Sequence, residues 1–455
     1  MNILILGAGR VGSNVAYQLA REEANQVTIV DSDPAALREL QERLDVRTVV
    51  GHAAYPEVLE RAGAKEADLI IALTHSDELN MVCCQIAYTL FNTPTKIARI
   101  RTAEYINAPN LFQQENMPVD VCISPEQLVT NNIEQLIRYP GAFQVLEFAD
   151  GRVRLVGVKA RKDGLLVGQA LRNLDEHLPN TETRIAAIYR HGYPVPCEGD
   201  TIIEADDEVF FIAARKDIRV VMSELRKLEE PVRRVVIAGG GNIGHRLAAA
   251  LEKTNQVKII ERDKKRAQLL SELLGRTIVL HGDAADEELM LEENIDNADV
   301  FVAITNADEA NILSSMLAKR LGCKKVMALI NRPSYAALVE SGNIDVAISP
   351  RQVTIGSLLE HVRQGDVVKV HALRRGRAEA MEAVAHGESG RSKVVGRRID
   401  EIKLPPGITI STIVRGKQVM QAHHDVVVEA NDHVILFLTD RRHIDDVARL
   451  FQAES

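Results

Sequence analysis

Tryptophan is absent, and aromatic residues make up only 4% of the 455-residue chain. Stacking platforms for nucleobases or sugars are therefore not expected. A basic excess is missing too: 55 Lys and Arg stand against 64 Asp and Glu, a net charge of −9. That balance counts against non-specific binding of nucleic acid. The five cysteines (Cys83, Cys84, Cys122, Cys197, Cys323) form no C-x-x-C pair and are too few for a disulfide scaffold. A reducing, cytosolic compartment suits them best. No apolar run approaches the roughly 18–20 residues that cross a bilayer, so a membrane role must come through a partner. The opening MNILILGAGR lacks a basic n-region and runs directly into glycines, which marks a first strand and not a signal peptide. What is present is an ordinary globular composition, 46% hydrophobic and 26% charged, at a length that suggests about three domains of roughly 150 residues.

Set against itself, the chain is written twice. Ile3-Leu-Ile-Leu-Gly-Ala-Gly-Arg-Val-Gly12 recurs as Val235-Val-Ile-Ala-Gly-Gly-Gly-Asn-Ile-Gly244, with the first glycines 239 − 7 = 232 apart. Leu73-Thr-His-Ser-Asp-Glu-Leu-Asn80 recurs as Ile304-Thr-Asn-Ala-Asp-Glu-Ala-Asn311 at an offset of 231, and Ser124-Pro-Glu-Gln127 as Ser349-Pro-Arg-Gln352 at 225. Shared secondary structure alone would not preserve these identities in order, so a large unit is duplicated in tandem.

Within the first unit, short apolar runs predict strands near 2–6, 26–30, 47–50, 68–73, 96–100 and 120–123, with helices such as 11–20 and 78–90 between them. The alternation implies βαβ units and a parallel sheet covered on both faces. Ser124 as N-cap, Pro125 as first helical residue and Gln127 as reciprocal partner then start a helix, which Pro140-Gly141 stops. It serves either as a packing helix or as a link to the next module or another subunit. Beyond it the period changes to two, as in Val153–Lys159, Arg184–Tyr189 and Asp207–Ile212, which indicates a small β-rich domain. The second copy matches in Gly407–Gly416 and His433–Leu438, whereas the polar stretch Ala378–Arg397 reads as an extended loop. The fold class is α/β: two doubly wound parallel-sheet (Rossmann-like) domains at 1–123 and 232–348 alternate with two small α+β domains at 143–227 and 367–453, and linker helices occupy 124–142 and 349–366.

The G-x-G-x-x-G spacing gives these units a chemistry. Gly7 permits a tight turn, Gly9 lets backbone approach a pyrophosphate, and Gly12 allows close helix packing. Free N–H groups at the start of the next helix favour phosphate. Asp31 and Glu261 close the second strand of each copy, 31 − 7 = 24 and 261 − 239 = 22 residues past the first glycine. A carboxylate there accepts ribose hydroxyls and disfavours a 2′-phosphate, so NAD(H) is expected over NADP(H), although Arg262 beside Glu261 complicates the second copy. Thr74 and Thr305 fall at the end of strand four, where a ligand of such a sheet lies. Arg99 and Arg101 punctuate strand five and could meet a phosphate or form a surface salt bridge; the second copy has Leu329 and Asn331 there. His52, His75 and His281 could in principle be acid–base groups, but the duplication replaces His75 by Asn306 and His52 by Gly282 or Asp283. No Tyr-x-x-x-Lys, G-x-S-x-G or metal-type His/Cys cluster is present.

Gly7-x-Gly9-x-x-Gly12, Asp31, the block Thr74, Asp77, Glu78, Asn80 and the trailing β-rich domain resemble RCK domains, the regulators of potassium conductance. Two such units in one chain resemble the Trk-type potassium-uptake regulatory proteins of bacteria, over nearly the whole length. The resemblance implies a regulatory subunit, not an enzyme, that binds NAD+ or NADH, with ATP or ADP also open. The implied contact residues are Gly7, Ala8, Gly9, Arg10, Val11, Gly12, Asp31, Thr74, His75 and Arg99, then Gly239, Gly240, Gly241, Asn242, Ile243, Gly244, Glu261 and Thr305. It further implies an integral-membrane potassium transporter as partner, assembly of copies into a ring that gates it, ligand-sensing or assembly roles for the small domains, and a place on the cytoplasmic side of the inner membrane. Gly51-His52-Ala53 departs from the family's Gly-Asp-Ala, which Gly282-Asp283-Ala284 keeps, and the second copy lacks an Arg99 equivalent, so the two sites are expected to differ. The competing class is an NAD-dependent dehydrogenase with a duplicated subunit; it would need a proton-transfer group in each active unit. A nucleotide-stabilised scaffold is a third reading.

Overall fold

The computed structural model describes residues 1–20, 25–179, 181–339, 344–362, 367–373, 378–387, 392–438 and 444–451. It divides into two compact units, Met1–Leu128 with Pro350–Leu358, and Val129–Ser349 with Leu359–Ser455.

The first unit holds one parallel sheet of β1 (Asn2–Leu6), β2 (Gln26–Asp31), β3 (Arg47–Val50), β4 (Leu69–Ala72), β5 (Thr95–Arg99) and β6 (Val121–Ile123). Their order is 3-2-1-4-5-6, so the direction of winding reverses between β1 and β4. That is the crevice where a doubly wound sheet takes its ligand. All four residues of β4 are buried, as the unbroken Leu-Ile-Ile-Ala run requires of a central parallel strand. Predicted and observed strands differ by no more than a residue at each end. Residues Pro350–Leu358 of the second linker helix belong to this unit, and the Arg351 guanidinium lies over the Tyr17 ring, 6.0 Å from its centroid.

The second unit carries three sheets. An antiparallel one contains β7 (Ala142–Phe148), β8 (Val153–Lys159), β9 (Thr183–Arg190), β10 (Tyr193–Val195) and β11 (Glu208–Ala214), in the order 10-9-11-8-7. A parallel one repeats the first unit's order with β12 (Arg234–Ala238), β13 (Gln256–Glu261), β14 (Ile278–His281), β15 (Val300–Ala303), β16 (Lys325–Leu329) and β17 (Val346–Ile348). The last contains β18 (Val367–Leu373), β19 (Ala378–Val384), β20 (Ile408–Arg415), β21 (Gln418–Gln421) and β22 (His433–Leu438), ordered 18-19-22-20-21.

The two small sheets share an internal clamp. Arg190 donates through Nε and Nη2 to Asp207, both at 2.9 Å, and through Nη2 to the Ile202 carbonyl at 2.9 Å. Arg415 does the same to Asp432 at 2.9 and 2.8 Å and to the Val427 carbonyl at 2.7 Å. Asp207 and Asp432 are buried, and bidentate pairing with the fork-shaped guanidinium is what makes that burial tolerable.

One expectation is corrected. The stretch from Ala378 is not a loop at its start: β19 pairs on both sides, with β18 and β22. Its acids misled the reading, because Glu379 and Glu382 are buried. Glu382 accepts the Ala149 N–H at 2.8 Å and lies 2.6 Å from His433 Nδ1, so its charge is partnered inside the core. Residues 388–391 of that stretch lie outside the described residues.

The helix Pro125–Arg138 starts and stops as its sequence indicates, and Ser124 Oγ accepts the Gln127 N–H at 3.3 Å. Val129, Ile133, Leu136 and Ile137 join one apolar core with Val156 and Val158 of β8 and with Val235, Ile237 and Leu247 of the second parallel domain. This helix therefore packs on the next module. Lys325 of β16 adds a polar tie, donating from a buried Nζ to the carbonyls of Ala142 at 2.9 Å and Leu136 at 3.4 Å. Burial pushes its pKa down to about 8.

Candidate nucleotide-binding sites

Each candidate site is built where the first strand of a parallel sheet turns into its helix. Gly7 has φ +108°, a backbone region costly for any residue with a Cβ, and its N–H donates to the Val30 carbonyl at 2.8 Å. Gly239 repeats both features, with φ +108° and a 2.9 Å bond to Ile260. A Cβ on Gly12 would lie 1.8 Å from the Gly7 oxygen, and one on Gly244 2.0 Å from that of Gly239. These glycines let the helix lie against the turn. Gly9 and Gly241 are different, for a Cβ there would meet nothing within 4 Å. They face open space beside the loop. The helices Arg10–Leu19 and Asn242–Leu251 begin at these glycines without a side-chain cap, so their first-turn N–H groups face the same side.

The acids at the ends of β2 and β13 hold the loops. Asp31 Oδ2 accepts the Ala8 N–H at 2.5 Å and Oδ1 accepts that of Asp33 at 2.8 Å. Glu261 accepts from Gly240 and Asp263, both at 2.7 Å. Asp and Glu thus reach the same two donors despite their different lengths.

Thr74 and Thr305 do lie at the ends of β4 and β15. Thr74 donates through N and Oγ1 to Asn80 Oδ1, at 2.9 and 2.7 Å, while Asn80 Nδ2 donates to the Arg99 carbonyl at 2.9 Å. Thr305, Asn311 and the Leu329 carbonyl form the same arrangement at 2.8, 2.7 and 2.9 Å. A fully buried asparagine therefore ties the end of one strand to the end of the next in both copies. Beside it, Asp77 accepts N–H bonds from Arg101 at 2.9 Å and Thr102 at 2.8 Å, and Asp308 accepts from Asn331 and Arg332. Burial alone would raise both carboxyls, but these donors hold them below the ordinary carboxylate range. Sequence reasoning did not assign these organising roles to Asn80, Asn311, Asp77 and Asp308. Their signal was the repeated Thr-x-x-Asp-Glu-x-Asn block.

Two candidates bond to residues outside the loop. Arg99 is drawn into an ion pair with Glu126, Nη2 to Oε1 at 3.2 Å, and its buried Nε has no partner among the described residues. His75 is exposed and gives its backbone carbonyl to Arg101. His52 and Asp283 fill one role despite their chemistry: His52 Nδ1 accepts the Ala54 N–H at 3.4 Å and Asp283 Oδ1 that of Ala285 at 2.8 Å.

The second copy differs beside its loop. Arg266 Nε donates to the Gly240 carbonyl at 2.7 Å. His245 on the adjoining helix is held below the ordinary imidazole range by burial first, then by the positive charges of Arg266 and Arg246. The first copy has Ala36 and Ser13 at these places, two residues after the helix-capping aspartate's proline and one after the third glycine.

Comparison with known proteins follows this layout. The TrkA-N domain model matches residues 3–125 and 235–350, and the TrkA-C domain model residues 155–226 and 391–452. The chain is 61% identical over 452 residues to the Trk system potassium uptake protein TrkA of Halomonas elongata, covering 99% of both chains. The proteins of the same name from Vibrio alginolyticus and Haemophilus influenzae are 57% and 50% identical over 453 residues, again with 99% coverage of each. The chain belongs to the TrkA family. Among solved structures it resembles the GsuK RCK domain (TM-score 0.62, 17% identity, 98% of this chain and 95% of that one). It also resembles the GsuK channel bound to NAD (TM-score 0.61, 18% identity, 98% and 79%). These likenesses show that the fold is shared over nearly the whole chain. No helix among the described residues is long and apolar enough to cross a bilayer.

Proposed function

We propose that this chain is the nucleotide-binding regulatory subunit of a Trk-type potassium uptake system, gating an integral-membrane transporter from the cytoplasmic face as a homo-oligomer. Family membership supports the regulatory role in potassium uptake. The observation that carries the nucleotide reading is the doubled loop, in which Asp31 and Glu261 each hold a glycine turn at the mouth of a sheet's switch point. On this reading residues 1–123 and 232–348 are nucleotide domains, joined through helices 124–142 and 349–366 to small domains at 143–227 and 367–453.

Gly7 to Gly12 and Gly239 to Gly244 would take the nucleotide phosphates, with Arg10, Val11, Asn242 and Ile243 contributing first-turn N–H groups. Asp31 and Glu261 would turn to the ribose hydroxyls, and Thr74 and Thr305 would flank the nicotinamide or phosphate side. NAD+ or NADH fits these acids, and ATP or ADP shares the adenosine they recognise. A dehydrogenase would need a repeated proton donor beside the loops. His52 and Asp283 are instead engaged with turn backbone, and His75 has no histidine counterpart. Calorimetric titration with NAD, NADH, ADP and ATP tests the reading: at least one should bind with two sites per chain, and absence of binding by all four would refute it.

A further inference from the structure

The two loops are not electrostatically equal. Helix Lys264–Leu273 packs so tightly over the second loop that a Cβ on Gly240 would lie 2.3 Å from Leu270 Cδ1, whereas the first loop accommodates Ala8 at this position. The close packing sets Arg266 against the loop backbone, one hydrogen bond from Nε to the Gly240 carbonyl fixing it there. The guanidinium has no carboxylate partner among the described residues. Both nearby acids are occupied: Glu261 by the N–H groups of Gly240 and Asp263, and Asp263 by the Arg266 N–H at 2.7 Å. A guanidinium carries five N–H donors in a rigid fork suited to phosphate, and this one uses a single donor on the protein. The corresponding residue of the first copy is Ala36, which offers neither charge nor donor.

We infer that Arg266 makes the second site prefer an adenine nucleotide bearing a dianionic phosphate monoester over NAD. The inference rests on the nucleotide reading above. The monoester has two sources, the end of a polyphosphate tail as in ADP and ATP, or the 2′-phosphate of NADP, while NAD carries only a doubly esterified pyrophosphate.

The test is calorimetric titration of the full chain carrying Asp31→Ala, which weakens the first site, with NAD, NADP, ADP and ATP in turn, with and without Arg266→Ala. At least one monoester nucleotide should bind the second site about 10-fold more tightly than NAD, the scale of one charge-assisted contact. Arg266→Ala should remove that advantage while moving NAD affinity by less than about threefold, and Arg266→Lys should retain part of it. Response in the ADP and ATP arms places the monoester on the tail, and response to NADP alone places it on the ribose. Equal losses for NAD and the monoester nucleotides would reduce Arg266 to a support for the loop and overturn the inference, as would no loss at all. Melting temperatures of both variants separate these results from misfolding. Failure of the parent chain to bind any of the four would instead bring down the nucleotide reading, and this inference with it.

Discussion

The Asp31 carboxylate accepts the Ala8 backbone N–H at 2.5 Å, and Glu261 repeats the contact on Gly240 at 2.7 Å. The acid that would meet a ribose also shapes the phosphate loop. Asp31→Ala should therefore weaken NAD or NADH binding at the first site by about 1–3 kcal/mol, the cost of leaving polar groups unpaired. Titration calorimetry checks this, and unchanged affinity would remove Asp31 from the site.

The glycines separate into two kinds by what surrounds them. Gly9→Val should leave the melting temperature nearly unchanged, because its Cβ meets nothing within 4 Å, yet abolish nucleotide binding. Gly12→Ala should do the reverse in order of cause: its Cβ falls 1.8 Å from the Gly7 oxygen, so the domain loses about 1–3 kcal/mol of stability and binding fails as a consequence. Denaturant unfolding of both variants distinguishes them. A Gly9→Val chain that still binds would contradict the close-approach role.

Asn80 ties Thr74 to the Arg99 carbonyl from a fully buried position. Asn80→Ala strands the Thr74 N–H and that carbonyl, and should destabilise the first parallel domain by about 1–3 kcal/mol. Asn311→Ala should act equally on the second. A variant as stable as the parent would show that water replaces the amide.

Asp77 and Asp308 set an acid limit. Their carboxyls titrate below the ordinary value of 3.8 when folded, held there by N–H donors against the opposing effect of burial. Folded groups with depressed pKa values bind fewer protons than the unfolded chain, so their contribution is fully present above about pH 4 and is lost as pH falls through the lowered value. Asp77→Asn should flatten stability below pH 4 in urea titrations. An unchanged acid slope would assign that slope to other carboxylates.

Much of this was legible in the sequence, and the exceptions share a cause. The strands of the first sheet could be read from short apolar runs, and the duplication from identities such as Asn80 with Asn311. Arg190 with Asp207 and Arg415 with Asp432 stand at the same 225 offset as Ser124 and Ser349, yet their pairing emerges only once the sheets bring them together. Glu379 and Glu382 disguised β19 because a buried acid is indistinguishable from a solvated one until its surroundings, for Glu382 the Ala149 N–H and His433, are placed. Arg99 left two readings open, and its ion pair with Glu126, 27 residues away, was not visible in the spacing. Arg266 gave no motif at all; its meaning lies in the tight packing around Gly240. Spacing shows local chemistry, whereas pairing across elements needs the fold.

The central claim is that nucleotide held on these two loops controls a transporter, which requires the ligand to favour one state of the assembly over another. The most direct measurement is potassium flux through the reconstituted transporter with this chain, with and without nucleotide, comparing the parent with an Asp31→Ala, Glu261→Ala chain shown to have lost binding. A coupling of about 1–3 kcal/mol predicts a response of roughly 5- to 150-fold in the parent and none in the variant. Flux that stayed fully nucleotide-sensitive in the variant, or that ignored nucleotide in the parent, would contradict it.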